Sequence, residues 1–259
     1  MTSSAFAPEW LALRETADAE ARAADLADQV RGIVLNRNPV VIRDLGCGTG
    51  SMGRWLSGRL GGPQHWVLHD RDPRLLDVAG ATVSGPDVTV EAREGDLTAL
   101  HAADLAGTSL VTASALLDLL TRDEVNGLAA ACVEAGVPAL LTLTVAGRIE
   151  FDPAEPLDAR FQDAFNGHQR RGRLLGPDAA QAAEAAFTAL GARVETRPSP
   201  WRLGLDQAAL TAEWLRGWVG AAVEHEPGLA GEAPAYLERR LSGGLRVVVH
   251  HTDLLAVPS

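Results

Sequence analysis

Cysteine is scarce: Cys47 and Cys132 are the two in 259 residues. They supply neither a disulfide framework nor a Cys-x-x-Cys metal pair, so a reducing compartment, the cytoplasm, is expected. Long apolar runs are missing. No window approaches the roughly 18 apolar residues of a membrane span, and the opening MTSSAFAPEW reads as no membrane segment. Basic residues are in deficit: 34 acidic against 23 basic side chains give a net charge of −11. So acidic a surface repels phosphate backbones, and neither nucleic acid nor a membrane is expected as a partner. Metal-ligand spacing is absent too. His250 and His251 are neighbours on an expected strand and face opposite sides, so no metal is expected.

What is present suffices for a core. With 46% hydrophobic residues over this length, one domain with an elaboration is expected, as a monomer or homodimer that needs no other partner to fold. Residues 9–32 place Leu, Ala and Val at near-helical spacing and predict a leading helix. From Val40 onward apolar strands alternate with helical segments. Strands are expected at 40–44, 65–70, 88–92, 109–114 and 138–145, with helices at 52–60, 73–80, 98–106 and 121–136 between them. Apolar runs this continuous belong to a sheet covered on both faces, and the right-handed crossover rule gives an α/β, doubly wound, mostly parallel sheet. A helix at 177–191 and strands at 192–197 and 245–257 bring the count to seven strands.

Two segments interrupt that rhythm. The expected organisation is a helical cover at 1–39, an α/β core at 40–146, a first cover insertion at 147–176, core again at 177–201, a second helical cover at 202–243 and a final strand at 244–259. Ligands of open α/β sheets bind beyond the carboxyl ends of the strands, where such insertions can form walls.

The turn RDLGCGTG, residues 43–50, joins the first strand to a helix. Its glycines lie on alternate positions, whereas a dinucleotide fingerprint places the third glycine three residues after the second. There is no lysine in the turn, so a nucleoside triphosphate fits poorly. A nucleoside with a flexible polar tail fits better.

VIRDLGCGTGSMG resembles the first motif of the class I S-adenosylmethionine-dependent methyltransferases, an acid followed by x-G-x-G-x-G, matched by Asp44, Gly46, Gly48 and Gly50. The resemblance covers residues 40–145. It implies a Rossmann-like methyltransferase fold, S-adenosyl-L-methionine as cofactor, S-adenosyl-L-homocysteine as product, and methyl transfer to an acceptor. In VLHDRDP, Asp70 falls where the family's ribose-binding acid sits, beside Arg71. In EGDL, Asp96 and the Leu97 backbone N–H fall at the adenine contact. Cys47 in the turn and Ser114 after the fourth strand complete the expected cofactor shell. Arg14 on the leading helix is the candidate for the methionine carboxylate. Asp72, before Pro73, is expected to cap a helix.

The sequence after the fourth strand, TASALLDLL, lacks the Asn/Asp-Pro-Pro-aromatic tetrad of amino methyltransferases that act on adenine or glutamine. Asp118 is the polar group there that could orient the sulfonium region or a substrate hydroxyl. In FQDAFNGHQRRGR, Phe165 and Asn166 are candidate substrate contacts. His168 is a candidate general base and Arg173, with Arg170 and Arg171, an anchor for an anionic substituent. Trp214 and Trp218, four apart, are expected to pack in the core. An in-line displacement onto a small molecule is the expected reaction. Methylation of a protein or nucleic acid, and cofactor binding without turnover, are the alternatives.

Overall fold

The computed structural model describes residues 7–95 and 100–259. Among them, eight strands form one sheet: β1 (Val40–Leu45), β2 (Gln64–Asp70), β3 (Val88–Glu94), β4 (Leu110–Ser114), β5 (Ala139–Asp152), β6 (Arg193–Pro198), β7 (Trp201–Leu203) and β8 (Arg246–Val257). The order is β3-β2-β1-β4-β5-β8-β6, with β7 paired to the first half of β8. Strands β3 to β5 in that order are parallel, and β8 runs antiparallel to β5, β6 and β7. The expected seven strands are all present. The eighth, β7, lies at the start of the second cover segment, and β5 runs on through Gly147–Asp152, so the first insertion begins as sheet and not as loop.

Both faces are covered, as the apolar runs require. On one face α2 (Ala24–Val34), α3 (Ser51–Leu60) and α4 (Pro73–Thr82) pack on Ile42, Trp66 and Leu68. On the other, α5 (Arg122–Glu134) and α7 (Ala179–Ala189) pack on Val111, Leu141 and Leu254. Helices α6 (Asp158–Gln169), α8 (Ala208–His225) and α9 (Ala233–Leu241) form a third apolar cluster with Phe151 and Val247 from the ends of β5 and β8. Phe161, Trp218 and Tyr236 are fully buried there, and the Phe161 and Tyr236 rings stack at 4.4 Å. Among the described residues no helix is long and apolar enough to cross a membrane. The helix expected at 98–106 is replaced, where described, by a short 3-10 turn at Ala102–Leu105.

The single leading helix is also revised. It breaks into α1 (Pro8–Ala21) and α2 at Arg22 and Ala23, whose ψ angles of 137° and 100° are extended. No proline or glycine forces this break. A buried carboxylate on β8 does: Asp253 Oδ2 accepts the Ala23 N–H at 2.8 Å. Its other oxygen accepts the Leu143 N–H at 2.8 Å and the Ser199 hydroxyl. Leu143 has φ 56° and lies where the β5–β8 register shifts, so the same carboxylate holds a left-handed residue in mid-strand. Burial raises the Asp253 pKa, opposed by these three donors and by Arg22.

Removing this acceptor strands the buried Leu143 N–H and the half-buried Ala23 N–H. Asp253→Ala should destabilise the protein by about 3 kcal/mol, read from the shift of the urea midpoint at constant slope. A loss below about 1 kcal/mol would remove Asp253 from this role.

Candidate functional site

The glycine turn is stitched to the end of β2. The Cys47 N–H donates to the His69 carbonyl at 2.9 Å and the Gly48 N–H to Asp70 Oδ2 at 2.9 Å. The Gly50 N–H closes the turn on the Cys47 carbonyl, and Gly50, at φ 87°, leads into α3. A Cβ at Gly50 would lie 2.7 Å from Val83 Cγ2 and 3.2 Å from the Ala79 Cα, so only glycine lets α4 pack this close to the turn.

In front of the turn is a cavity of about 780 Å³, bounded by α1, the start of α4 and the segment after β4. Asp44, Gly46, Cys47, Gly48, Asp70, Arg71 and Ser114 all line it. Asp44 is buried and its Oδ1 accepts from the Thr112 hydroxyl at 2.8 Å, while Oδ2 has no partner among the described residues. Burial raises its pKa to about 7, against the Thr112 hydrogen bond and the charge of Arg22. Asp70 accepts the N–H groups of Gly48 and Asp72, one per oxygen, so each oxygen keeps acceptor capacity toward the cavity. Asp72 itself caps α4 by accepting the Arg74 N–H at 3.0 Å.

Arg22, placed by the helix break, stands behind this wall. It is buried and donates from Nη2 to the hydroxyls of Ser51 and Ser114, at 3.1 and 3.0 Å. Both serines line the cavity, and each hydroxyl, having accepted from Arg22, keeps its own hydrogen to donate. Arg22 Nε and Nη1 have no partner among the described residues. Burial lowers its pKa, and Asp18, Asp44 and Asp253 oppose that. An unpartnered cationic donor and an unpartnered carboxylate oxygen thus lie near one another without bonding.

A second cavity, about 190 Å³, adjoins the first through Arg14, Ala115 and Leu119, which line both. Ala115, at φ 51°, turns the chain between them. The smaller space is walled by Trp10, Phe165, Trp201 and Trp214, from α1, α6, β7 and α8. Asp18 ties α1 to β7: it takes Arg14 through both oxygens, at 2.9 and 3.1 Å, and the Trp201 indole N–H at 2.9 Å. The Arg14 guanidinium lies over the Trp201 ring at 4.9 Å. Asp118, Asn166, Gln169 and His251 join Arg14, Arg148 and His250 in the polar lining. Burial raises the Asp118 pKa to about 6 and lowers that of His251 to about 3.

The structure therefore gathers Asp44, Gly46, Cys47, Gly48, Asp70, Arg71 and Ser114 at the larger cavity, and Asp118, Phe165 and Asn166 at the smaller. Gly50 serves the packing of the turn and does not line the cavity. Arg14 reaches both cavities with its guanidinium already taken by Asp18. Burial raises the Cys47 thiol pKa, which keeps it protonated. Trp218 is buried in the cover core, and Trp214, stacked on it at 5.6 Å, reaches the smaller cavity. His168 lines neither cavity. It lies two residues beyond Asn166, about 200° around α6, and its Nδ1 is 3.8 Å from Glu224 of α8. Burial and Arg171 lower its pKa. Arg173 is 84% exposed beside Asp123, and Arg170 is paired with Asp178. Asp96 and Leu97 lie outside the described residues. No cluster among the described residues is arranged to hold a metal ion.

Sequence reasoning missed Arg22, Trp10 and Trp201. Arg22 carries no local signal, since ARAAD reads as uninterrupted helix. Asp253 does carry one, an acid inside the apolar strand VVVHHTDLLAV.

Residues 42–138 match a family model described as a methyltransferase domain. Three solved structures superpose over most of the chain. The YcgJ protein of Bacillus subtilis is 12% identical with a TM-score of 0.52, covering 91% of this chain and 99% of its own. A putative methyltransferase of Bacillus halodurans is 13% identical with a TM-score of 0.51, covering 92% and 100%. A cyclopropane synthase of Mycobacterium tuberculosis is 15% identical with a TM-score of 0.50, covering 90% and 83%. At these identities the likeness carries the fold: this is a Rossmann-like methyltransferase fold with helical insertions. No curated protein matches the chain in sequence.

Gly50→Ala tests the turn. Left-handed strain and the contacts with Val83 and Ala79 should together cost about 3 kcal/mol in a urea melt. A change within about 0.5 kcal/mol would show that the turn tolerates a side chain there.

Proposed function

We propose that the protein transfers a methyl group from S-adenosylmethionine to a small molecule held in the smaller cavity. The observation that carries this reading is the junction of the two cavities at Arg14, Ala115 and Leu119, where occupants of the two spaces would meet. When bound, the cofactor supplies an electrophilic methyl on a sulfonium.

The residues of the larger cavity fit its polar ends. Asp70 has acceptor capacity on both oxygens for the two ribose hydroxyls. The methionine end is a zwitterion. Asp44 Oδ2, buried and unpartnered, suits its ammonium, and the Ser51 and Ser114 hydroxyls, backed by the charge of Arg22, suit its carboxylate. This assigns to Arg22, through the serines, the role that the sequence suggested for Arg14. Arg71 and the backbone of Gly46, Cys47 and Gly48 complete the wall, and Asp96 and Leu97 remain the adenine contacts that the resemblance implies.

The chain's part in the reaction is positioning and exclusion of water. Helix α1, β7, α6 and α8 wall the smaller cavity with aromatic side chains, which limits the acceptor's orientations and its contact with water and favours an in-line approach. Phe165 and Asn166 contact the acceptor and Asp118 orients it. The small volume and the charge of −11 support a small molecule over a protein or nucleic acid.

Titration calorimetry with S-adenosylhomocysteine tests the cofactor site. Asp70→Ala should lose about 1.5–3 kcal/mol of binding, and Arg22→Ala at least about 1.4 kcal/mol, tenfold. Arg14→Ala should stay within about threefold, since its charge is already matched by Asp18. Saturable binding that ignores Asp70→Ala would remove the ribose assignment. The pH dependence has a definite sign. Asp44, with its pKa raised to about 7, is protonated below that pH in the free protein. The ligand's ammonium stays charged there and requires the carboxylate, so affinity should fall by up to about tenfold per unit below pH 7. Asp44→Asn should flatten that fall, and an unchanged profile would count against Asp44 as the ammonium's partner.

A further inference from the structure

The smaller cavity carries an asymmetry in its polar atoms. Asp118 Oδ1 and Asn166 Oδ1 are buried and have no hydrogen-bond partner among the described residues. Both are acceptors. Asn166 is fixed in that sense because its Nδ2 donates to the Gly147 carbonyl at 2.8 Å. Gln169 Oε1 and His251 Nδ1, on the same cavity, are likewise buried and unpartnered. Burial keeps the His251 ring neutral, against the Ser199 and Val249 backbone, which favours a ring N–H. Four residues that line this one small space each carry a buried polar atom without a partner, more than a packed interior commonly leaves, and the Asp118 and Asn166 oxygens cost desolvation until something donates to them.

The charges around the cavity point the same way. Arg14 is matched by Asp18 through two hydrogen bonds, and Arg148 by Glu150 at 2.6 Å. His250 also meets Glu150, at 2.8 Å. Asp118 is left as the carboxylate on the lining with no ion-pair contact, felt only at longer range by Arg14, and Trp10, Trp201 and Trp214 add aromatic walls around it. A carboxylate, further acceptors and aromatic walls are complementary to a cation that carries several N–H groups. An alcohol brings one donor and no charge, and a carboxylic acid brings repulsion.

We infer that the smaller cavity is an amine subsite: the acceptor is a small amine, its N–H groups donating to Asp118 and Asn166 and its apolar body lying against the tryptophans. This rests on the proposed function in taking the smaller cavity as the acceptor site. Asp118 acts here as the counter-ion that selects and orients the ammonium; for transfer to that nitrogen one N–H proton first leaves to solvent past the Asp118 carboxylate, the freed lone pair forms the N–CH3 bond, and the C–S bond pair stays on sulfur.

The test uses the full chain without cofactor and reads binding by ligand-observed NMR and calorimetry. The probes are benzylamine, benzyl alcohol and benzoate, which share one body and differ in the polar group. Benzylamine should bind, with the other two at least about tenfold weaker. Asp118→Asn, and separately Asn166→Leu, should weaken benzylamine at least about tenfold while leaving S-adenosylhomocysteine binding within about twofold, which also reports that each variant is folded. Equal binding of the alcohol or benzoate, no binding of benzylamine, or benzylamine binding that survives both substitutions would overturn the amine assignment. Loss of S-adenosylhomocysteine binding in the wild-type protein would instead overturn the proposed function, so the two failures are distinguishable.

Discussion

A carboxylate buried in the sheet sets the geometry on which the two cavities depend. Asp253 cannot be hydrated where it sits on β8, so it must be satisfied by protein donors, and the three it takes come from three distant parts of the chain. The N–H of Ala23 fixes where α1 ends and α2 begins. The N–H of Leu143 fixes a left-handed residue in β5, next to the smaller cavity. The Ser199 hydroxyl fixes the corner between β6 and β7, from which Trp201 enters the same wall. One side chain thus positions the cover helix, the sheet irregularity and the aromatic wall together.

The helix break has a consequence for charge. A continuous helix would carry Arg22 along its own axis, whereas the extended backbone at Arg22 and Ala23 lets the guanidinium turn inward to Ser51 and Ser114. Burying this cation is costly, and Asp18, Asp44 and Asp253 offset the cost through space. None of the three neutralises it by direct hydrogen bonding, so its field remains available at the cavity wall. Asp44, across the same wall, retains an unpartnered oxygen. The protein thus presents an unpartnered carboxylate and a cation-backed pair of hydroxyls on one cavity, a preorganised arrangement.

The parts of this architecture legible in the sequence are those whose cause is local. The glycine turn, Asp70 at the end of β2 and the Asp72 cap are set by neighbours within a few residues, and the strand–helix alternation follows from period and apolar run length. The first half of the site was therefore legible, because a turn and the adjacent strand ends build it. The rest comes from packing between distant segments. Helix α6 carries polar residues around most of its circumference, and the sequence DAFNGHQ does not tell which of Asn166 and His168 turns to the cavity. Phe161 and Ala164 decide it by seating in the cover core, which aims Phe165 and Asn166 inward and His168 at α8. Arg14 reads as a free cation until α1 places Asp18 one turn away and Trp201 beneath it.

The central claim is that Asp44 and the Arg22-backed serines hold a zwitterionic end at the carboxyl edge of the sheet. A crystal structure with S-adenosylhomocysteine measures it most directly. The amino nitrogen should lie within hydrogen-bond distance of Asp44 Oδ2 and the carboxylate on the hydroxyls of Ser51 and Ser114, with the Arg14–Asp18 pair intact. An amino-acid end turned away from Asp44, with its carboxylate on Arg14 in place of Asp18, would contradict it.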